Sequence, residues 1–272
     1  MTNLHFLYLT GLPCSGGGFL SQLLNQHPEV YSDLSASPLC DLVVNFRSFI
    51  STNPQVKDLL SQDFQGTMGR SHHGIQGFIQ GWYSQVSEPW IVDFHPQWLQ
   101  HLDLIHLLDP NCKMVVCVRE LGQVYATIER QHQKTLLLDF PEKIADLSRT
   151  ERAKQFFSPS GRMGSFLNTL EQVQDLEETL QQRLFYVVYE HLMSDPQEVL
   201  TELLKWLDLA PITADLGSSA LLLRSPASFS KYGEEAYDGD RPLVRYPLPN
   251  RFEVTIKQNF SWFYRLFYPG LL

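Results

Sequence analysis

The N-terminal run Leu4–Thr10 (LHFLYLT), the loop Gly11-Leu12-Pro13-Cys14-Ser15-Gly16-Gly17-Gly18 and the segment Phe19–Gln26 (FLSQLLNQ) constrain this chain more than any other feature. An apolar, aromatic-rich run stopped by glycine reads as a buried strand. Apolar residues at helical spacing that stop before His27-Pro28 read as a helix. Strand, glycine-rich loop and helix in direct succession form an anion cradle, because the first amides of a helix lie unpaired at the positive end of its dipole. Consecutive glycines let the backbone wrap an anion closely. The loop lacks the parts that hold a nucleoside triphosphate with magnesium. Gly11 and Gly16 have the spacing of GxxxxGK[ST], but Gly17 and Gly18 occupy its lysine and hydroxyl positions. The dinucleotide spacing G-x-G-x-x-G does not occur here either.

Further along, strands and helices alternate. Strands are predicted at Val30–Ser32, Trp90–Phe94 (WIVDF), Lys113–Val118 (KMVVCV) and Leu184–Tyr189 (LFYVVY). Helices are predicted over Pro38–Ile50, Val56–Gln62, Ile75–Val86, Trp98–Leu108, Glu120–Lys134, Gly164–Gln182 and Pro196–Leu209. This alternation implies βαβ units and a central parallel sheet flanked by helices on both faces. With the phosphate loop on the first strand, the expected fold class is α/β, three-layer and P-loop-like. From Ala210 the pattern lapses: Ser225–Asn250 reads as a long irregular loop, followed by an aromatic helix at Phe260–Phe267. No linker divides the chain, so one α/β domain is expected over 1–272, with 210–272 packed on it as an irregular segment.

Composition narrows the partners. No run approaches the roughly 18 apolar residues of a membrane span. The net charge of −9 argues against a nucleic-acid surface, which needs a basic stripe, yet leaves room for a small anionic ligand. Met1–Thr10 lacks a basic region, so no secretory signal is expected. The four cysteines form no CxxC pair, as expected of free thiols in a reducing, cytoplasmic setting with no metal site.

The loop and the helix behind it resemble the sulfotransferase family. Its phosphosulfate loop is written Pro-(Arg/Lys)-Ser-Gly-Thr-Thr, before a helix ending in Asn-x-His-Pro. This chain has Pro13-Cys14-Ser15-Gly16-Gly17-Gly18, then Asn25-Gln26-His27-Pro28. The resemblance implies a loop around the 5′-phosphosulfate of 3′-phosphoadenosine 5′-phosphosulfate (PAPS). Cys14 replaces the basic residue, and Gly17 and Gly18 replace two hydroxyl donors, so the backbone cradle is kept while three side-chain contributions are not. Arg70, Lys231 and Arg224 are candidates to supply the missing cation.

In the family, an arginine closing a later strand and a serine on the next helix grip the 3′-phosphate. Arg119, which ends KMVVCV, and Thr127 match that spacing, and a guanidinium offers paired donors suited to phosphate. His95, after WIVDF, resembles the histidine that takes the acceptor's proton, although Asp93 stands in the lysine position of Lys-x-His. Tyr189-Glu190-His191-Leu192, with Asp195-Pro196 beyond, resembles Tyr-Glu-Asp-Leu, whose tyrosine borders the adenine.

The resemblance covers about residues 4–209 and implies a PAPS-dependent sulfotransferase-like protein. Cys14, Ser15, Gly16, Gly17, Gly18, Phe19, Arg119, Thr127 and Tyr189 would surround PAPS or adenosine 3′,5′-bisphosphate, with His95 catalytic. Its acceptor would be a small molecule or saccharide with a hydroxyl or amine; Ser35–Asn45 and the C-terminal loop are the segments expected to shape the acceptor site. Lys231, Arg241 and Arg245 read as solvated charges. Two alternatives stand beside this: a sulfotransferase-fold protein that binds a nucleotide or anion without transfer, and an unorthodox P-loop nucleotide hydrolase or kinase. Acceptor identity and oligomeric state leave no signature in the sequence.

Overall fold

Alternation of apolar side chains along the strands decides the architecture, seen here in a computed structural model that describes residues 4–33, 35–135, 146–216 and 245–271. Strands β1 (His5–Gly11), β2 (Val30–Ser32), β3 (Trp90–Phe94), β4 (Lys113–Val118) and β5 (Leu184–Val188) form one sheet in the order β2-β3-β1-β4-β5. All pairings are parallel, and Leu9 lies opposite Phe94 on one side and Val115 on the other. Phe6, Tyr8, Met114 and Val116 enter one core with Trp98, Leu167 and Phe263. Leu7, Leu9, Val115 and Cys117 enter the other with Leu20, Leu200 and Leu203. Strands apolar on both faces need helices on both faces, which gives the three-layer, P-loop-like α/β fold.

Helices α1 (Gly17–Leu24) and α11 (Pro196–Trp206) cover the second core. The first is covered by α2 (Leu39–Thr52), α4 (Phe64–Trp82), α5 (Leu102–Leu108), α6 (Leu121–Thr135), α8 (Arg162–Gln174), α12 (Asn250–Asn259) and α13 (Ser261–Phe267). Shorter pieces are α3 (Pro54–Gln62), α7 (Arg149–Phe157), α9 (Glu178–Gln181), α10 (Tyr189–Ser194) and a 3-10 turn at Trp98–His101. Among the described residues no helix is long and apolar enough to cross a membrane.

Helix boundaries depart from the sequence reading where local signals are weak. Helix α4 begins at Phe64 rather than Ile75, started by Asp63, whose carboxylate accepts from the Gly66 amide at 2.9 Å. Gly66 and Gly69 lie in its first half, each lowers helix propensity by about 1 kcal/mol, and that half offers few apolar residues at helical spacing, so it does not read as helix. The stretch Gly164–Gln182 is broken at Asp175 into α8 and α9. Helix α7 was not expected. Its polar sequence buries only Ala153 and Phe156, but Ser148 and Glu151 form a capping box. Arg152 also holds the buried Glu129 of α6 through Nε at 2.7 Å and Nη2 at 2.8 Å. Helix α12 starts where the irregular segment was expected to end. Most of Ser225–Asn250 lies outside the described residues.

The Asn-x-His-Pro motif ties the end of α1 to its surroundings. Asn25 Oδ1 accepts from the Ser32 amide at 2.8 Å. The buried His27 accepts the Glu29 amide at Nδ1 (3.1 Å), so Nε2 donates to the Ala210 carbonyl (3.1 Å). These contacts fix the helix whose other end carries the glycine loop.

Candidate anion-binding site

Strand β1 is where the order of strands reverses, with β2 and β3 to one side and β4 and β5 to the other. Crevices at such switch points, beyond the carboxyl ends of the strands, are the ligand sites of open α/β sheets. The glycine loop leaves β1 there and Arg119 leaves β4 beside it.

Close packing shapes the loop. A Cβ on Gly11 would lie 2.4 Å from the Cys117 carbonyl, so only glycine fits against β4. Cys14 (φ 56°) and Gly16 (φ 86°) are both left-handed, an arrangement that turns successive amides toward one point. For cysteine this conformation is strained, of a kind found at functional sites. Ser15 donates its hydroxyl to the Leu12 carbonyl at 2.6 Å. Gly16 caps α1 without a side chain, and the first turn holds no acid.

Two aromatic rings bracket the loop. A Cβ on Gly16 would come within 3.1 Å of the Tyr189 ring and 3.0 Å of Leu192. A Cβ on Gly17 would meet the Phe94 ring at 2.7 Å. The glycine at position 17 therefore complements Phe94, which occupies the space that a threonine would need.

Arg119 folds onto this loop. It is 5% exposed, and its Nη1 donates to the Cys14 carbonyl at 2.8 Å. Its guanidinium lies 4.1 Å from the centre of the Tyr189 ring. Its Nε–H is buried without a partner, and it forms no ion pair with a carboxylate among the described residues. The adjacent Glu120 is engaged elsewhere: it accepts the Gly122 (3.0 Å) and Gln123 (2.7 Å) amides at the start of α6 and the Tyr264 hydroxyl. Glu190, next to Tyr189, accepts the Tyr268 hydroxyl at 2.6 Å. The C-terminal tyrosines thus occupy Glu120, next in sequence to the arginine, and Glu190, next in sequence to the tyrosine it stacks on.

The other candidates are placed less directly. Thr127 is buried on α6, and its hydroxyl donates to the Gln123 carbonyl at 2.7 Å, so its proton is spent within the helix. Phe19 packs into the core beneath α1. Asp93, in the lysine position of the family pattern, is fully buried and accepts from Tyr83 Oη and Trp98 Nε1, both at 2.6 Å. Burial raises its pKa, and it joins the end of α4 to the sheet. Arg70 donates to Thr67 on its own helix at 3.0 Å, while Lys231, Arg224 and Arg241 lie outside the described residues.

His95 directly follows β3, with its amide on the Leu9 carbonyl at 2.9 Å. Its Nδ1 accepts the Gln97 amide at 3.2 Å, which places the proton of the neutral ring on Nε2. Nε2 faces Asp41 Oδ2 at 3.7 Å. Burial pulls the imidazole pKa below its ordinary value, and Asp41 opposes that in part. The ring is expected to be the neutral Nε2–H tautomer at pH 7. Asp41→Asn removes the charge that favours the imidazolium and lowers the pKa further, a shift that nitrogen-15 NMR titration reads directly.

The fold therefore brings Cys14, Ser15, Gly16, Gly17, Arg119 and Tyr189 into one cluster with His95 at its β3 side, while Thr127 is hydrogen-bonded within α6. Sequence reading overlooked Phe94 and the Tyr264–Glu120 and Tyr268–Glu190 pairs. The available signals were the bulky residue directly before His95 and tyrosines one helical turn apart in the aromatic C-terminus.

Comparison with known proteins bears on the family and the fold. The sulfotransferase family model matches residues 7–213. The sulfotransferase domain from the curacin biosynthetic pathway superposes with a TM-score of 0.52 at 16% identity, covering 95% of this chain and 98% of its own. Sulfotransferase STF9 from Mycobacterium avium gives 0.56 at 14% identity, covering 98% and 78%. The sulfotransferase from Alicyclobacillus acidocaldarius gives 0.55 at 11%, covering 96% and 92%. No curated protein sequence matches. At these identities the solved structures speak for the fold alone. The family model spans most of the chain, and the chain belongs to the sulfotransferase family.

Proposed function

We propose that this chain transfers a sulfuryl group from PAPS to a hydroxyl or amine of a small-molecule or saccharide acceptor, releasing adenosine 3′,5′-bisphosphate. One observation carries the reading: Arg119 is a buried cation with no carboxylate partner among the described residues and with an unpaired Nε–H, folded against an uncapped glycine loop. A buried charge is costly unless paired, and an unsatisfied buried donor calls for an explanation. A ligand with two anionic groups, one on the loop and one on the guanidinium, supplies both. Neighbouring groups crowd the Cβ positions of Gly16 and Gly17, which keeps these loop positions without side chains.

In this scheme the backbone around Ser15–Phe19 receives the 5′-phosphosulfate and Arg119 the 3′-phosphate. Tyr189 borders the base. Thr127 joins them only by turning its hydroxyl away from Gln123. As the sulfur–oxygen bond to phosphate breaks and that to the acceptor forms, the acceptor proton moves to a base. For His95 to take it at Nε2, the imidazole must carry its own proton on Nδ1 and give up the Gln97 amide. Chain groups act by positioning and by stabilising spread negative charge.

The test is a melting-temperature series. Adenosine 3′,5′-bisphosphate is expected to raise the melting temperature more than ATP with magnesium or AMP at equal concentration, because only a ligand of the folded state stabilises it. A larger shift with ATP and magnesium would favour the nucleotide-hydrolase alternative. A second reading, binding without transfer, is favoured by Cys14 and Gly17, which leave the loop without its usual cation and hydroxyl. Removing one such donor typically costs on the order of 10²–10³ in rate. Tight nucleotide binding with no sulfated product across phenol, sugar and amine acceptors would select it.

A further inference from the structure

We propose that the groove between α7 and α12 is a binding site for a small aromatic carboxylate, a role independent of the sulfotransfer reading. Ala153 and Phe157 of α7 are four residues apart, as are Phe252 and Ile256 of α12, so each pair lies on one face of its helix. The two faces line a cavity of about 250 Å³, joined by Phe260, whose ring centre lies 5.5 Å from that of Phe157. The rings of Phe157 and Phe252 both rest on the fully buried Tyr125 of α6, with centres 6.0 and 6.2 Å away. Tyr125 is itself held: its hydroxyl lies 2.8 Å from Glu129 Oε1 and 2.7 Å from the Arg149 carbonyl. Packed side chains leave few voids larger than a water molecule, and this one has about eight times a water's share of the liquid. A preformed hollow walled by rings takes a planar apolar group.

The charge of the groove runs against that of the whole chain, which has 30 acidic and 21 basic residues. Among the described residues, the charged side chains that line the cavity are Lys154 of α7 and Arg251 of α12, and no acid lines it. Both cations are exposed, and neither forms an ion pair among the described residues. The Arg251 guanidinium carbon lies 5.3 Å from the centre of the Phe252 ring, which sets a positive charge against the apolar wall. Arg149 lies 5.7 Å from the same ring but faces Glu129, with its Nε 3.8 Å from Oε2. On α7, Glu151 is occupied by Ser148, accepting its hydroxyl at 2.7 Å and its amide at 3.1 Å. A ligand with an aromatic ring and one carboxylate answers both features. The ring lies against Phe157 and Phe252, and the carboxylate accepts a charge-assisted bond from Arg251. A neutral ring leaves the cations to water, and a bare anion leaves the hollow unfilled.

The experiment is calorimetry on the whole chain with three probes. These are 2-naphthoate, 2-naphthamide, which keeps the rings without the charge, and acetate, which keeps the charge without the rings. Naphthoate is expected to bind about tenfold tighter than naphthamide, the size of one charge-assisted contact at an exposed rim, and acetate to show no heat of binding. Lys154→Gln with Arg251→Gln should lower naphthoate to the affinity of naphthamide and leave the melting temperature unchanged, because both side chains are exposed. Thr255→Trp, from the exposed rim of α12, fills the hollow and should abolish binding of both naphthyl probes. If that variant does not fold, Asn259→Trp, one turn further along the same wall, takes its place. The proposal is overturned if naphthoate does not bind, if naphthamide binds as tightly, or if the preference for naphthoate survives the double substitution. Naphthoate binding that persists in the tryptophan variant also overturns it, by placing the probe elsewhere, the glycine loop included.

Discussion

Replacing Arg119 by alanine is expected to weaken binding of adenosine 3′,5′-bisphosphate by about 10²-fold, the loss of one or two charge-assisted hydrogen bonds at roughly 1.5–3 kcal/mol each. Stability should respond little. The residue contributes a hydrogen bond to the Cys14 carbonyl and stacking on Tyr189, but it also buries a charge with no carboxylate beside it among the described residues and leaves Nε unsatisfied. Removing that charge relieves a desolvation cost that offsets the lost contacts. The expected signature is lost affinity by calorimetry with a melting temperature within a few degrees of wild type. A structural arginine would give the opposite pattern. AMP serves as the control: a smaller loss for AMP assigns Arg119 to the 3′-phosphate, and an equal loss assigns it to the group in the glycine loop, in place of the cation missing at Cys14. Unchanged affinity for both nucleotides would remove Arg119 from the site.

Gly17→Thr, which restores a hydroxyl common in the family's loop, is expected to destabilise this chain by roughly 1–3 kcal/mol, as overpacking does, and to weaken nucleotide binding. The cause is local: a Cβ at position 17 lies 2.7 Å from Phe94 Cε2 and 2.9 Å from Cζ, before the rest of threonine is added. Phe94 is anchored in β3 and cannot withdraw cheaply, being paired in register with Leu9. Phe94→Ala opens the space, so the double variant should be more stable than the sum of the two single changes predicts. Denaturant unfolding of the four proteins gives that coupling, and contacting pairs show interaction energies of about 0.5–3 kcal/mol. Additive effects would show that the ring does not set the identity of residue 17. The same geometry makes rebuilding the loop a three-part problem, in which Cys14 and Gly17 change together with Phe94.

How far the sequence could be read follows from the range of the forces involved. The strands at Val30–Ser32, Trp90–Phe94 and Lys113–Val118 were legible with these same ends, because a strand buried on both faces is apolar at nearly every position. The loop was legible because glycine runs have few other uses between a strand and a helix. Helices α7 and α12 were not, since each owes its place to partners distant in sequence, such as Glu129 for Arg152. Neither was the start of α4, where glycines weaken the helical pattern and Asp63 supplies the cap.

Taken alone, the sequence determined the alternation of strands and helices, the glycine-rich loop heading the first helix, and the order in which His95, Arg119 and Tyr189 follow their strands. These are local properties, written in periodicity, glycine placement and strand ends. Tertiary structure alone decided that Phe94 fills the space above Gly17, that Arg119 turns inward onto the Cys14 carbonyl, and that His95 presents Nε2–H toward Asp41. Each of these depends on which strands lie side by side and on steric exclusion between residues far apart in the chain, for which no single stretch of sequence carries a signal.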